Sequence, residues 1–182
     1  NATLTLSDEE PSGYFNSAVV KHPSGPWIYT QDSGVFGGGR YIQQWEVGLG
    51  GMLTDLGIAP SIDPPLKPSI SPDGKWMFSG TGAFGANSVA VFSLDASGLP
   101  SEVPGSPFVS PGDTPYRTAP TVDNRFVYVG HTVDDTVRAM SVDQTTGLLH
   151  WPFAAALSVI LLGLFGTIIA VYQRFTRKIG PR

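Results

Sequence analysis

Three features of this 182-residue sequence predict an all-β body followed by one membrane-spanning helix. Glycine and proline, 22 and 16 residues, interrupt the chain too often for a helical bundle. A strand–turn–strand pattern returns about every 50 residues, as it does in stacked repeats. A single uncharged run of twenty residues stands near the C-terminus.

The first repeat runs Val20-Lys21-His22-Pro23-Ser24-Gly25-Pro26-Trp27-Ile28-Tyr29 and the second Ile70-Ser71-Pro72-Asp73-Gly74-Lys75-Trp76-Met77-Phe78. The third is Thr121-Val122-Asp123-Asn124-Arg125-Phe126-Val127-Tyr128. Their turn residues Gly25, Gly74 and Asn124 are 49 and 50 positions apart. Gly and Asn tolerate the positive φ that tight hairpin turns need. Each turn is followed by aromatics two apart, Trp27 and Tyr29, Trp76 and Phe78, Phe126 and Tyr128, which alternation puts on one face of a strand.

A further strand follows in every copy, at 41–47, 88–94 and 136–142, and runs into Gly51-Met52, Gly98-Leu99 or Gly147-Leu148. Units of this length holding three or four short antiparallel strands predict a partial β-propeller of about three blades, at about 15–66, 67–116 and 117–149. The third blade is expected to lack its outer strand, because Leu148 and Leu149 lead straight into His150-Trp151-Pro152. Three blades do not close a ring, so the stack is expected to leave strand edges and a blade face for other blades, a partner subunit or a second copy.

The HPSGPWIYT, SPDGKWMFSG and VDNRFVYVG segments, each followed by a strand like VAVFSLDASGL, resemble the lactonase-type, YVTN-repeat seven-bladed β-propeller family over residues 15–149. The resemblance implies the blade fold. It also implies that relatives include lactonases, relatives of muconate cycloisomerase and proteins without a known reaction. Three blades where the family has seven leaves any activity open.

Residues 153–172, FAAALSVILLGLFGTIIAVY, are long enough as a helix to cross about 30 Å of hydrocarbon. Trp151 and Tyr172 bracket the run as interfacial rings, and Arg174, Arg177 and Lys178 follow it. The expectation is a transmembrane helix over 150–173, an extracytoplasmic domain over 1–149 and a basic cytoplasmic tail over 174–182. Ala156, Gly163, Gly166 and Ala170, with Thr167, would form a small-residue packing flank. Seven basic residues against fifteen acidic ones leave positions 1–173 at −8, while four basic residues follow. Such an acidic body excludes nucleic acid as a partner. With no initiator Met at Asn1, either a removed signal peptide or a longer precursor is expected.

Candidate chemistry is sparse. No cysteine means no disulfide, thiolate nucleophile or Cys-ligated metal. Of the three histidines, His22 precedes a turn and is expected to hydrogen-bond there. His150 borders the apolar run as an interfacial anchor, with no second ligand in view for a pigment or haem. His131 with Asp134 and Asp135 is the best polar cluster, a weak candidate for a loop metal or for acid/base work. Ser33–Arg40 is glycine-rich but lacks a Lys-Ser/Thr ending and precedes a strand, so it reads as a hairpin loop with Phe36 at its tip. No Gly-x-Ser-x-Gly elbow occurs, and Asn1-Ala2-Thr3 is a lone glycosylation sequon.

No catalytic set and no cofactor are expected. The leading expectation is a membrane-anchored accessory or scaffolding subunit that docks on other membrane subunits through its helix and open blade edges. The alternatives are a lactonase-like hydrolase or isomerase whose remaining blades are missing from this chain, and a surface sensor that binds a ligand.

Overall fold

A computed structural model of the chain describes residues 18–33, 40–61, 65–81 and 87–150, together with Thr167, Ile169 and Arg174. The chain divides into two compact units, Asn1–Leu149 and His150–Arg182. The first is all-β. Its strands are β1 (Val19–Lys21), β2 (Trp27–Ser33), β3 (Arg40–Val47), β4 (Leu53–Pro60), β5 (Leu66–Ile70), β6 (Trp76–Gly80) and β7 (Ser88–Leu94). They continue with β8 (Pro100–Glu102), β9 (Phe108–Val109), β10 (Pro115–Pro120), β11 (Phe126–His131), β12 (Val137–Val142) and β13 (Leu149–His150).

These strands form three antiparallel sheets in simple meander order, β1-β2-β3-β4, β5-β6-β7-β8 with β9 added on β7, and β10-β11-β12-β13. Each sheet is one repeat of the sequence. The third sheet does have a fourth strand, β13, which corrects the expectation that its outer strand is missing. Two residues were too few to register as a pattern. The third sheet also begins earlier than the repeat suggested, at Pro115.

The first strands of the sheets, β1, β5 and β10, lie against one another, so the sheets are stacked around a common inner edge. One core cluster joins Tyr29 and Ile42 of the first sheet to Met77, Ala90 and Phe92 of the second. The other joins Trp76, Phe78, Val89 and Val91 of the second sheet to Val127, Val129 and Met140 of the third. The middle sheet is therefore covered on both faces, and every residue of β6 is buried. In β11, by contrast, Val127 and Val129 are buried while Tyr128 between them is exposed, as one covered face requires.

Repeated turns position the sheets. Asp73 Oδ1 accepts from the Ser71 hydroxyl at 2.6 Å and from the Lys75 amide at 3.2 Å, and Asp123 Oδ1 does the same with Thr121 and Arg125 at 2.5 and 3.1 Å. In the first sheet His22 takes this place, its Nδ1 accepting from the Ser24 and Gly25 amides at 3.2 and 2.9 Å. The turn hydrogen bonding expected of His22 is present. Its Nε2 then donates to the Gly74 carbonyl of the next sheet at 3.1 Å, a tie between sheets that sequence did not announce.

In the second unit Thr167, Ile169 and Arg174 are helical. Among the described residues no helix is long and apolar enough to cross a membrane. Apart from Thr167 and Ile169, the expected span 153–172 lies outside the described residues, as do its flanks Trp151, Tyr172, Arg177 and Lys178 and the packing positions Ala156, Gly163, Gly166 and Ala170.

Candidate functional site

At or beside the end of the second strand of each sheet stands a buried polar residue at an equivalent position of the repeat, Asp32, Thr81 or His131. In the second sheet the Thr81 hydroxyl is used up within the hairpin, donating to the Ser88 carbonyl at 2.8 Å. In the third sheet the position holds an imidazole that borders an open cleft. The cleft measures about 320 Å³ and is lined by His131 and Asp135 with Tyr116, Arg117, Thr136 and Val137.

His131 is 4% exposed. Its Nε2 lies 2.6 Å from the Ser110 hydroxyl, while its Nδ1 is buried without a hydrogen-bond partner. A buried polar atom left unpaired carries a desolvation cost, and Nδ1 keeps its hydrogen-bonding capacity unused. Gly112 closes over the ring; a Cβ there would sit 2.3 Å from His131 Cδ2.

The walls of the cleft are cross-tied. Asp134 accepts from Arg138 Nη2 and from the Thr136 hydroxyl, both at 2.9 Å, and Arg138 Nε donates to the Thr136 hydroxyl at 3.2 Å. Arg138 Nη1 also donates to the Pro111 carbonyl, so one guanidinium ties the loop before β10 to the loop before β12. Burial works against the charged form of Asp134. The Thr136 hydroxyl, the Asp113 amide and the charge of Arg138 outweigh it, and the carboxyl is held below the usual range. Asp135 beside it adopts φ 50°, a left-handed conformation that a non-glycine residue holds only when its surroundings enforce it.

Two β-bulges add cationic and aromatic side chains along the inner edge. The register of β5 slips between Leu66 and Ser69, and that of β10 between Pro115 and Arg117. The slips present Lys67, with φ 43°, and Tyr116, whose ring lies 4.4 Å from Lys67 Nζ.

Of the residues singled out from sequence, His131 and Asp135 meet at the cleft, while Asp134 turns to Arg138. Among the described residues no group of three His, Asp or Glu side chains is arranged to hold a metal ion. His22 sits at the opposite end of its sheet, and His150 is exposed on β13. Ser33 pairs with Arg40 across β2 and β3; residues 34–39 of the glycine-rich segment, Phe36 among them, and Asn1 lie outside the described residues. Ser110, Arg117 and Arg138 went unnoticed in the sequence. Ser110 and His131 are 21 residues apart and belong to no local pattern. The repeat alignment of Asp32, Thr81 and His131 was the one signal that could have drawn attention to the position.

No protein-family model and no curated protein matches the chain. Solved structures do. A protein of Bacteroides fragilis described as a 6-phosphogluconolactonase superposes with a TM-score of 0.63 at 21% identity, covering 74% of this chain and 36% of its own. The periplasmic gluconolactonase of Pseudomonas aeruginosa gives 0.60 at 22%, covering 77% and 39%. A functionally unknown protein of Desulfotomaculum acetoxidans gives 0.65 at 19%, covering 78% and 42%. The fold is that of lactonase-type β-propeller blades. At these identities the likeness concerns architecture alone, and the chain spans about two-fifths of each of those proteins. The three stacked sheets correspond to blades.

Proposed function

We propose that this chain carries a hydrolytic site of a lactonase-type propeller, acting on the lactone of a sugar acid at the His131 cleft. One observation carries the reading: His131, whose Nδ1 is buried without a hydrogen-bond partner, lines a cleft together with Arg117. The substrate class comes from the gluconolactonase and 6-phosphogluconolactonase descriptions of the structural neighbours.

With Nε2–H donated to Ser110, the Nδ1 lone pair takes a proton from water. The hydroxide adds to the lactone carbonyl carbon and the ring C–O bond breaks. The leaving oxygen then takes the proton back from Nδ1, which yields the open hydroxy acid. Arg117, on the same cleft, is the cation available to the developing oxyanion. The test is hydrolysis of glucono-δ-lactone by the purified chain, with the spontaneous rate subtracted. His131→Asn is expected to lower kcat/KM about 10²- to 10⁴-fold. Equal rates in the two proteins, or no rate above background in the parent, would refute the reading.

A second reading is a membrane-anchored accessory subunit with residues 1–149 extracytoplasmic. It is favoured by the uncharged run 153–172 with its basic flank Arg174, Arg177 and Lys178. Membranes washed at alkaline pH should retain the chain; its release into the supernatant would remove this reading.

A further inference from the structure

The second and third sheets differ where their turns meet. In the turn after β5, Asp73, Gly74 and Lys75 match Asp123, Asn124 and Arg125 of the turn after β10. At the end of β7, Leu94, Asp95 and Ala96 match Val142, Asp143 and Gln144 at the end of β12. In the third sheet the Gln144 side chain bridges the two turns, donating to the Asn124 carbonyl and, at 3.2 Å, to the Val142 carbonyl. In the second sheet Ala96 has no side chain to reach across. The carbonyl that matches Asn124, that of Gly74, accepts from His22 of the first sheet instead. The room left between the turns opens as a cleft of about 360 Å³ whose walls include Ser24, Trp27, Asp73, Lys75, Leu94 and Asp95.

The polar groups of this cleft keep capacity for a ligand. Asp95 accepts from the Ser97 amide and hydroxyl and from the Leu99 amide at 2.8, 2.6 and 3.0 Å, and all three bonds end on Oδ1. Asp73 also accepts through Oδ1, from Ser71 and from the Lys75 amide. Its Oδ2 lies 3.8 Å from Lys75 Nζ, too far for a hydrogen bond but close enough for one oxygen atom to bond both. The Ser97 hydroxyl and then the Leu99 and Ser97 amides hold Asp95 below the usual carboxylate range, so both carboxylates are charged at neutral pH. Two carboxylates repel an anion, and the ammonium beside them repels a cation. A hydroxyl, which donates and accepts at once, satisfies all three. Leu94 and the half-buried Trp27 ring add apolar surface for the carbon skeleton that carries such hydroxyls.

We propose that this cleft binds a neutral saccharide. One sugar hydroxyl bridges Asp73 Oδ2 and Lys75 Nζ, and another donates to Asp95 Oδ2. The walls come from the first and second sheets alone, and the site depends neither on lactone hydrolysis nor on membrane attachment.

The probes are methyl α-D-glucoside, methyl α-D-mannoside and methyl β-D-galactoside, titrated into the full chain while tryptophan fluorescence is followed, because Trp27 lines the cleft. At least one is expected to give a saturable change with a Kd of about 1 mM. Ala96→Gln supplies the side chain that bridges the turns in the third sheet, and Lys75→Ala removes the bridging ammonium. Each should weaken binding at least about tenfold. Both positions are exposed, so the urea midpoint should stay at the parent value. His131→Asn should keep the parent response. No saturable change with any of the three glycosides would overturn the proposal, as would a response that Ala96→Gln and Lys75→Ala leave intact or that His131→Asn abolishes. Weaker binding accompanied by a lower urea midpoint in both variants would overturn it as a loss of fold, and tighter binding of agmatine or gluconate would overturn it in favour of an ion site.

Discussion

Gly147→Ala isolates the packing of Trp76 against the last hairpin of the third sheet. Gly147 has φ 73°, where an L side chain costs about 1–2 kcal/mol. The new Cβ would also lie 2.5 and 2.7 Å from two atoms of the Trp76 ring, which is buried and has to shift, adding about 1–3 kcal/mol of overpacking. The expected loss is therefore about 2–5 kcal/mol. Gly50 supplies the control, since it has the same φ of 73° with nothing within 4 Å of its would-be Cβ. Gly50→Ala should lose only the backbone part, about 1–2 kcal/mol. Equilibrium urea unfolding followed by far-UV circular dichroism measures both. In a Trp76→Leu background the smaller side chain leaves room, and Gly147→Ala should cost no more than Gly50→Ala. Equal losses for the two glycine variants in the parent background would refute the reasoning, as would a Gly147→Ala cost that survives in Trp76→Leu.

Three further outcomes follow from the same contacts. His22→Ala strands the Gly74 carbonyl and the Ser24 and Gly25 amides, and should cost about 1–3 kcal/mol in urea unfolding; a loss under 0.5 kcal/mol would mean that water replaces the imidazole. Tyr29→Phe removes the buried hydroxyl that donates to Gly98, and should cost about 0.5–1.5 kcal/mol without altering the sheet stack, as a circular dichroism spectrum would verify. Burial and then the nearby Asp95 carboxylate hold the Tyr29 phenol well above its ordinary range, so this hydroxyl is a donor near neutral pH. Asp134 is held below the usual carboxylate range, so its contribution is complete above an unfolded value of about 3.9 and is lost as pH falls through the lower folded value. The stability gap between the parent and Asp134→Asn should therefore close on acidification below about pH 4, and a gap that widens there would contradict the assignment.

Much of the blade architecture was legible because its causes are local. Turn residues 49 and 50 positions apart, and aromatics two apart after each turn, need no knowledge of neighbours to be read. β13 escaped because two residues carry no period, and its existence depends on pairing with β12. Of the polar cluster, the sequence marked His131, Asp134 and Asp135 as adjacent in the chain. It could not show that Asp134 would pair with Arg138, or that Ser110 would meet His131 from another loop. Hydrogen bonds of that kind are set by sheet register and by where loops end, which are properties of the stack.

The sequence by itself determined the strand period, the turn chemistry and the composition of each face, because steric preference and side-chain alternation act within a few residues. Only the tertiary structure decided which of three similar faces would be covered. Val89 and Val137 occupy the same place in the repeat, yet one is sealed by a neighbouring sheet and the other is open. Burial is a property of what stands opposite a side chain. The same reason left His131 Nδ1 unpaired beside a cleft while the equivalent Thr81 closed its own hairpin.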